Sequence, residues 1–200
     1  YGFIGLGGLS HTLMLALLAE ENIPESDVTF LDIGQGGAGA IFQALVQGKI
    51  DAMAAPIDFM LNVKPEDNVK MLLSFRERTP GVIRACVASE RVINEQPEAL
   101  MRLVAAQVLG TRFLLENRER SIDILTNVSG QDRDTVAWTY DKYVELKVFD
   151  PNYEVDPKAI QYMQELNVMV GSQDKVLPTE SVLDLSIQQK VIAALGEAKK

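Results

Sequence analysis

Cys86 is the only cysteine in the chain, so no internal disulfide can form and no cysteine-rich metal site can be assembled. His11 is the only histidine, which excludes a multi-histidine metal centre, and nothing marks out a nucleophile to complete a catalytic triad with it. Basic residues are outnumbered, with 19 Lys and Arg against 28 Asp and Glu and a net charge of −9. A nucleic-acid partner, which requires a basic face, is therefore not expected. No apolar run approaches the roughly 18–20 residues of a membrane span, the longest clean one being Leu13 to Ala19. Nor is there a basic leader ahead of an apolar stretch. The chain starts at Tyr1-Gly2-Phe3-Ile4-Gly5, which reads as a buried strand entered without lead-in and without Met, so further residues are expected ahead of it.

Hydrophobic residues make up 47% of the chain, enough for a real core in one large domain or two small lobes. The first half alternates short apolar segments, bounded by Gly, Pro or Asp, with helical patterns. Strands are predicted at Tyr1–Leu6, Val28–Ile33, Asp51–Ala55, Val69–Phe75 and Val82–Ala88. Helices are predicted at Ser10–Glu21, Ala38–Gln47 and Ile57–Asn62. The first helix is apolar nearly all round through Leu13, Met14, Leu15, Leu17 and Leu18, as expected of a helix covered on both sides. The second carries one stripe, Ile41, Phe42, Leu45 and Val46. This alternation predicts an α/β fold with a mainly parallel sheet.

Beyond about residue 90 the pattern is helical alone. Helices are expected at Pro97–Asn117, at Ser121–Val128 stopped by Ser129-Gly130, at Asp132–Leu146, at Pro157–Val168 behind Asp156, and at Ser186–Ala198. The change of pattern divides the chain into an α/β segment, 1–88, and a helix-rich segment, 89–200.

Two glycine turns stand at strand-to-helix junctions, Gly5-Leu6-Gly7-Gly8-Leu9-Ser10-His11-Thr12 and Gly34-Gln35-Gly36-Gly37-Ala38. Each lies at the carboxyl end of a predicted strand, the edge at which open α/β sheets bind ligands. Unpaired amides at a helix start receive a carboxylate, sulfonate or phosphate oxygen well. The candidate ligand-binding residues are therefore Gly7, Gly8, Ser10, His11 and Thr12 on the first turn and Gly36, Gly37 and Ala38 on the second. Pro56 and Asp58 join them from the loop after the third strand.

Simpler readings stand beside these. Ser10 or Thr12 taken alone reads as a helix N-cap. His11, in a loop position, suits a ligand contact or a plain surface role, and histidine is the side chain that titrates near neutral pH. Cys86, in an apolar segment, reads as a small buried hydrophobe. Trp138, Tyr140 and Tyr143 read as packing residues on one helix, and Glu116 to Glu119 and Asp132 to Asp134 as solvated helix faces. Gly5-x-Gly7 with Asp32 as the following acid approximates a dinucleotide fingerprint, and Gly2-Phe3-Ile4-Gly5-Leu6-Gly7 looks like the opening of the β-hydroxyacid dehydrogenases. The acid falls later than the fingerprint asks and a second glycine turn follows it. An NAD(P)-binding oxidoreductase is accordingly the alternative; no catalytic residue, metal site or cofactor is assigned.

Taken in order, the segments resemble the substrate-binding proteins of ABC transporters, in the NMT1/THI5-like group with the aliphatic-sulfonate, taurine, nitrate and pyrimidine-precursor binders. The resemblance is carried by the turn Gly7–Thr12, by Ile23-Pro24-Glu25-Ser26-Asp27-Val28, and by the run Ala44-Leu45-Val46-Gln47-Gly48-Lys49-Ile50-Asp51-Ala52. Val87-Ala88-Ser89-Glu90, Pro97-Glu98, Val155–Ile160 and Leu177-Pro178-Thr179-Glu180 continue it. It implies a two-lobed, type II periplasmic-binding-protein fold with the ligand in the cleft. It also implies a non-enzymatic, solute-binding component of an ABC-type importer, which passes a small ligand to a permease in the inner membrane. Such a protein is periplasmic, or extracellular and membrane-anchored. By the same resemblance residues 1 to about 85 are most of the second lobe, and the opening elements of the first lobe precede Tyr1. The fungal THI5 enzymes of the superfamily carry a cysteine-rich motif and histidines, which one Cys86 and one His11 do not supply. The effector-sensing domain of a transcription regulator, which shares the fold, is a third reading and needs a helix-turn-helix on the same polypeptide.

Overall fold

The computed structural model describes residues 1–33, 36–75 and 86–199. At the start of the chain β1 (Gly2–Phe3) pairs in parallel with β2 (Leu31–Asp32), Gly2 opposite Leu31 and Phe3 opposite Asp32. On its other side Gly2 forms a parallel bridge to Met53, and its N–H donates to Ala52 O at 3.0 Å. β1 is thus the middle of three parallel segments. Close packing explains the glycine: a Cβ on Gly2 would stand 2.6 Å from Ile50 Cδ1 and 2.8 Å from Ile41 Cγ2. Gly2→Val is expected to destabilise the fold by about 2 kcal/mol through overpacking. A urea midpoint equal to that of the unaltered chain would show that the apolar cluster yields instead.

Helices dominate the rest. Among the described residues they include α1 (Leu9–Glu20), α2 (Gly37–Val46), α3 (Glu90–Glu95), α4 (Pro97–Glu116), α5 (Arg118–Ser129), α6 (Arg133–Glu145), α7 (Pro157–Met169), α8 (Thr179–Val182) and α9 (Ser186–Leu195). The eight helical segments expected from sequence fall on helices; Ile57–Asn62 is wound as a 3-10 helix. α3 and α8 were not expected. Ser89 marks the start of α3, its Oγ accepting the Val92 N–H at 3.4 Å.

The strands are much shorter than expected. Tyr1–Leu6 contracts to two residues, as does Val28–Ile33, and Asp51–Ala55 to the single bridge at Met53. Val69–Phe75 forms no ladder among the described residues, and its Met71 and Leu72 are exposed. An apolar run becomes a strand only where a neighbouring edge is free to pair with it, and composition does not reveal that edge. Of Val82–Ala88, residues 82–85 lie outside the described residues; Cys86, Val87 and Ala88 are exposed coil, so Cys86 is not a buried hydrophobe.

Packing divides the chain into two compact units, Tyr1–Gly81 with Ile160–Val176, and Val82–Ala159 with Leu177–Lys200. In the first, Leu13 and Ala16 of α1 bury against Leu166 of α7, with Phe75, Tyr162 and Met163 around them. α1 is apolar on most sides, and Leu18 is buried as well, in line with a helix covered on more than one face.

In the second unit α4 packs on α9 and α5 on α6. Ile122, Val136 and Tyr140 form its buried cluster, with Leu114 and Ala137 against it, and the Tyr140 hydroxyl donates to Leu114 O at 2.6 Å. Tyr140 is therefore the packing residue that its helix position suggests. Gly130 ends α5 at φ +69°, the left-handed cap conformation that glycine adopts freely. Asp132 caps α6, accepting the Thr135 N–H at 2.9 Å; the Thr135 hydroxyl and N–H together hold its carboxyl below the usual range.

On the expected solvated faces, Arg118, Glu119 and Arg133 take part in ion pairs. Arg118 makes a two-point pair with Asp141 at 2.8 and 2.6 Å and also contacts Glu119, while Arg133 bonds Glu119 at 2.7 Å and Asp123 at 3.3 Å. All five are exposed, so these pairs contribute little to stability.

Candidate functional site

Three parallel segments side by side bring three turns to one edge. Residues 4–8 follow β1, Gly36 precedes α2 and Gly37 opens it, and Ala54–Asp58 follow Met53, all at the carboxyl side of the sheet. Gly34 and Gln35, within the second glycine turn, lie outside the described residues. α1 and α2 both start from this edge with glycine N-caps, Gly8 and Gly36, which offer no side chain to cap the helix. The first-turn amides of two helices, with the positive ends of their dipoles, therefore face the same side.

The first turn is tightly built. Gly5 and Gly7 sit at φ +69° and +75°, where a side chain would be strained. Gly8 N–H donates to Gly5 O at 2.9 Å, and a Cβ on Gly8 would come within 2.8 Å of Ile4 O and 2.9 Å of Gly5 O. Gly36 is equally constrained, since a Cβ there would meet that of Ala40 at 2.4 Å.

The expected site residues divide by exposure. Gly7, Gly36 and Pro56 are exposed, while Gly8, Ser10, Gly37, Ala38 and Asp58 are half-buried. His11 and Thr12 are buried, at 7% and 3% exposure. Neither hydroxyl is an N-cap: Gly8 holds that position, Thr12 Oγ1 donates to Gly7 O at 3.4 Å, and Ser10 lies within the first turn of α1. His11 is neither in a loop nor on the surface. Its ring stacks on Phe3 at 4.8 Å, meets Phe30 edge-on at 5.1 Å, and accepts the Gly7 N–H on Nδ1 at 3.2 Å.

Two residues that hold the edge together were not recognised from sequence. The Tyr1 hydroxyl donates to Ser10 O at 2.9 Å and accepts the Ala54 N–H at 3.1 Å, tying the third turn to the start of α1. Burial pushes this phenol up to about 12, the Ala54 N–H opposing it. Asp32 Oδ1 accepts the Gly5 N–H at 3.3 Å and links the end of β2 to the first turn. Neither role leaves a trace in local pattern, because each partner is more than 25 residues away or belongs to another segment.

Among the described residues, no group of three His, Cys, Asp or Glu is placed to hold a metal ion, and no helix is long and apolar enough to cross a membrane. An apolar groove of about 240 Å³ in the second unit, lined by Met101, Ala105, Val191 and Leu195, contains none of the expected site residues.

Parallel segments with helix starts at their carboxyl edge give this part of the chain an α/β arrangement. The family model described as NMT1/THI5 like matches residues 1–121, and the chain belongs to that family. Membership implies a periplasmic-binding-protein fold, and the family is associated with ABC-type substrate-binding proteins whose members are in general binding proteins rather than enzymes. No curated protein and no solved structure matches the chain.

Proposed function

We propose that this chain is part of the solute-binding component of an ABC-type importer, outside the cytoplasmic membrane, which holds a small anionic ligand for delivery to a permease. The sheet edge carrying Gly7, Gly8, Ser10, Gly36, Gly37, Ala38, Pro56 and Asp58 would supply one wall of a two-lobed cleft. His11 and Thr12 would shape that wall from beneath. The observation that supports the reading is the convergence of two glycine-started, side-chain-uncapped helices on one edge of a parallel sheet. The first-turn amides of α1 and α2 would receive a sulfonate, carboxylate or pyrimidine-like oxygen there, while the Gly7 and Gly8 N–H groups, already bonded to His11 Nδ1 and Gly5 O, hold the turn in shape. An amine-bearing ligand is the second reading, because Asp32 and Asp58 bring two carboxylates to the same edge.

Thermal unfolding of the full-length protein with alkanesulfonates, carboxylates, amines and pyrimidines separates the two. A ligand present at about a hundred times its Kd adds about 2.7 kcal/mol, which raises Tm by roughly 5–10 °C for a chain of this size. A rise with anions supports the first reading and a rise with amines the second. No shift across the panel would remove both.

A further inference from the structure

We infer that His11 is a protonation-controlled latch that sets the shape of the Gly5–Gly8 turn. Its Nδ1 accepts the Gly7 N–H at 3.2 Å, so Nδ1 carries no proton in this arrangement and the ring is the neutral Nε2–H tautomer. The ring has little room to turn away, being stacked on Phe3, flanked by Phe30 and 7% exposed. A second proton must enter at Nδ1, where it meets the Gly7 N–H donor to donor. The side that gives way is the turn. Gly5, Gly7 and Gly8 have no side chains to anchor them, and Gly7 itself is exposed.

Among the described residues the turn is also fastened by Gly8 N–H on Gly5 O, Thr12 N–H on Gly8 O, Thr12 Oγ1 on Gly7 O, and Gly5 N–H on Asp32 Oδ1. Among the described residues, the titratable groups on or beside the strands packed around the ring are the amino group and phenol of Tyr1, just ahead of β1, and the carboxylate of Asp32 on β2. The first turn of α1 carries no acidic side chain. Asp32 sits at the opposite end of the same turn, where its Oδ1 holds the Gly5 N–H. The turn therefore has two states, fastened with neutral His11 and released with His11 protonated. For its meaning in ligand capture the inference rests on the binding reading above; the latch itself requires no ligand.

The test is amide exchange and imidazole nitrogen NMR on the full chain without ligand, over roughly pH 8 to pH 5, where histidine changes charge. The expected result is the Nε2–H tautomer at high pH. The protection factor of the Gly7 amide should then fall about tenfold with the same midpoint as the imidazole, while the Gly2 amide, bonded to Ala52 O, stays protected. His11→Asn keeps an acceptor near the Nδ1 position and does not titrate, so Gly7 protection should become independent of pH. Unchanged Gly7 protection through the imidazole titration, or an Nδ1–H tautomer at high pH, overturns the latch. Where His11→Asn does not fold, the titration of the unaltered chain decides alone. A flat titration leaves the ligand panel untouched, and a panel without a stabilising ligand leaves this titration untouched.

Discussion

Replacing Ile122 with alanine is expected to destabilise the second unit by about 3 kcal/mol. Ile122 has no exposed surface and sits in the cluster with Val136 and Tyr140, against Leu114 and Ala137. Removing three carbons there loses the transfer free energy of the side chain and leaves a cavity between α5 and α6 that their backbones cannot close. Tyr140 restricts collapse further, because its hydroxyl is fixed to Leu114 O. Ile124→Ala, on the same helix at 42% exposure, is the control and is expected to change stability by less than about 0.5 kcal/mol. Denaturant unfolding monitored by circular dichroism compares the two. Equal effects would mean that the α5–α6 contact is not the core of this unit.

Asn152→Ala is expected to cost about as much through lost hydrogen bonds. Asn152 is 1% exposed, and its side-chain amide pairs with the backbone of Ala198 as a neighbouring strand would. Nδ2 donates to Ala198 O at 3.0 Å, and Oδ1 accepts the Ala198 N–H at 2.9 Å. The same Oδ1 accepts Arg112 Nη2 at 2.9 Å, and Arg112 continues to Pro151 O and Gly196 O. One truncation therefore strips partners from Ala198 and from a guanidinium. Unsatisfied groups cost about 1–3 kcal/mol each, discounted here because Ala198 and Arg112 are half-buried and water reaches them. A loss of about 2–3 kcal/mol is expected on that basis, with faster amide exchange at Ala198 before global unfolding. Gln188→Ala, which removes only the Nε2 bond to Asn152 O at 2.8 Å, should cost about 1 kcal/mol. If Asn152→Ala were no worse than Gln188→Ala, the tail would not depend on this clamp.

Most of the helices were legible in the residues. Pro97, Asp132, Asp156 and Gly130 are local signals: each acts on backbone groups within four positions, and each falls at or beside a helix end. The glycine turns were legible for the same reason, since a positive φ at Gly5, Gly7 and Gly37 is a demand of the local chain. The strands were not. Five apolar runs have similar composition, yet among the described residues three segments have a parallel neighbour, and that pairing joins Gly2 to Leu31 and to Met53, far along the chain.

Sequence spacing places the three turns at strand ends, but it also puts His11 in a loop, whereas His11 is a buried residue of α1. Ser10, His11 and Thr12 are consecutive polar residues, and nothing in their order says which way each one faces. The fold answers by curling α1 so that Thr12 returns to Gly7 and His11 enters the space between Phe3 and Phe30. The sequence by itself determined where the chain turns, where most helices begin and end, and which family it belongs to, because these rest on short-range spacing. Only the tertiary structure decided which segments pair, that Tyr1 and Asp32 fasten the edge, and that the single histidine is buried beneath a glycine. Those outcomes are set by contacts between residues far apart in the chain.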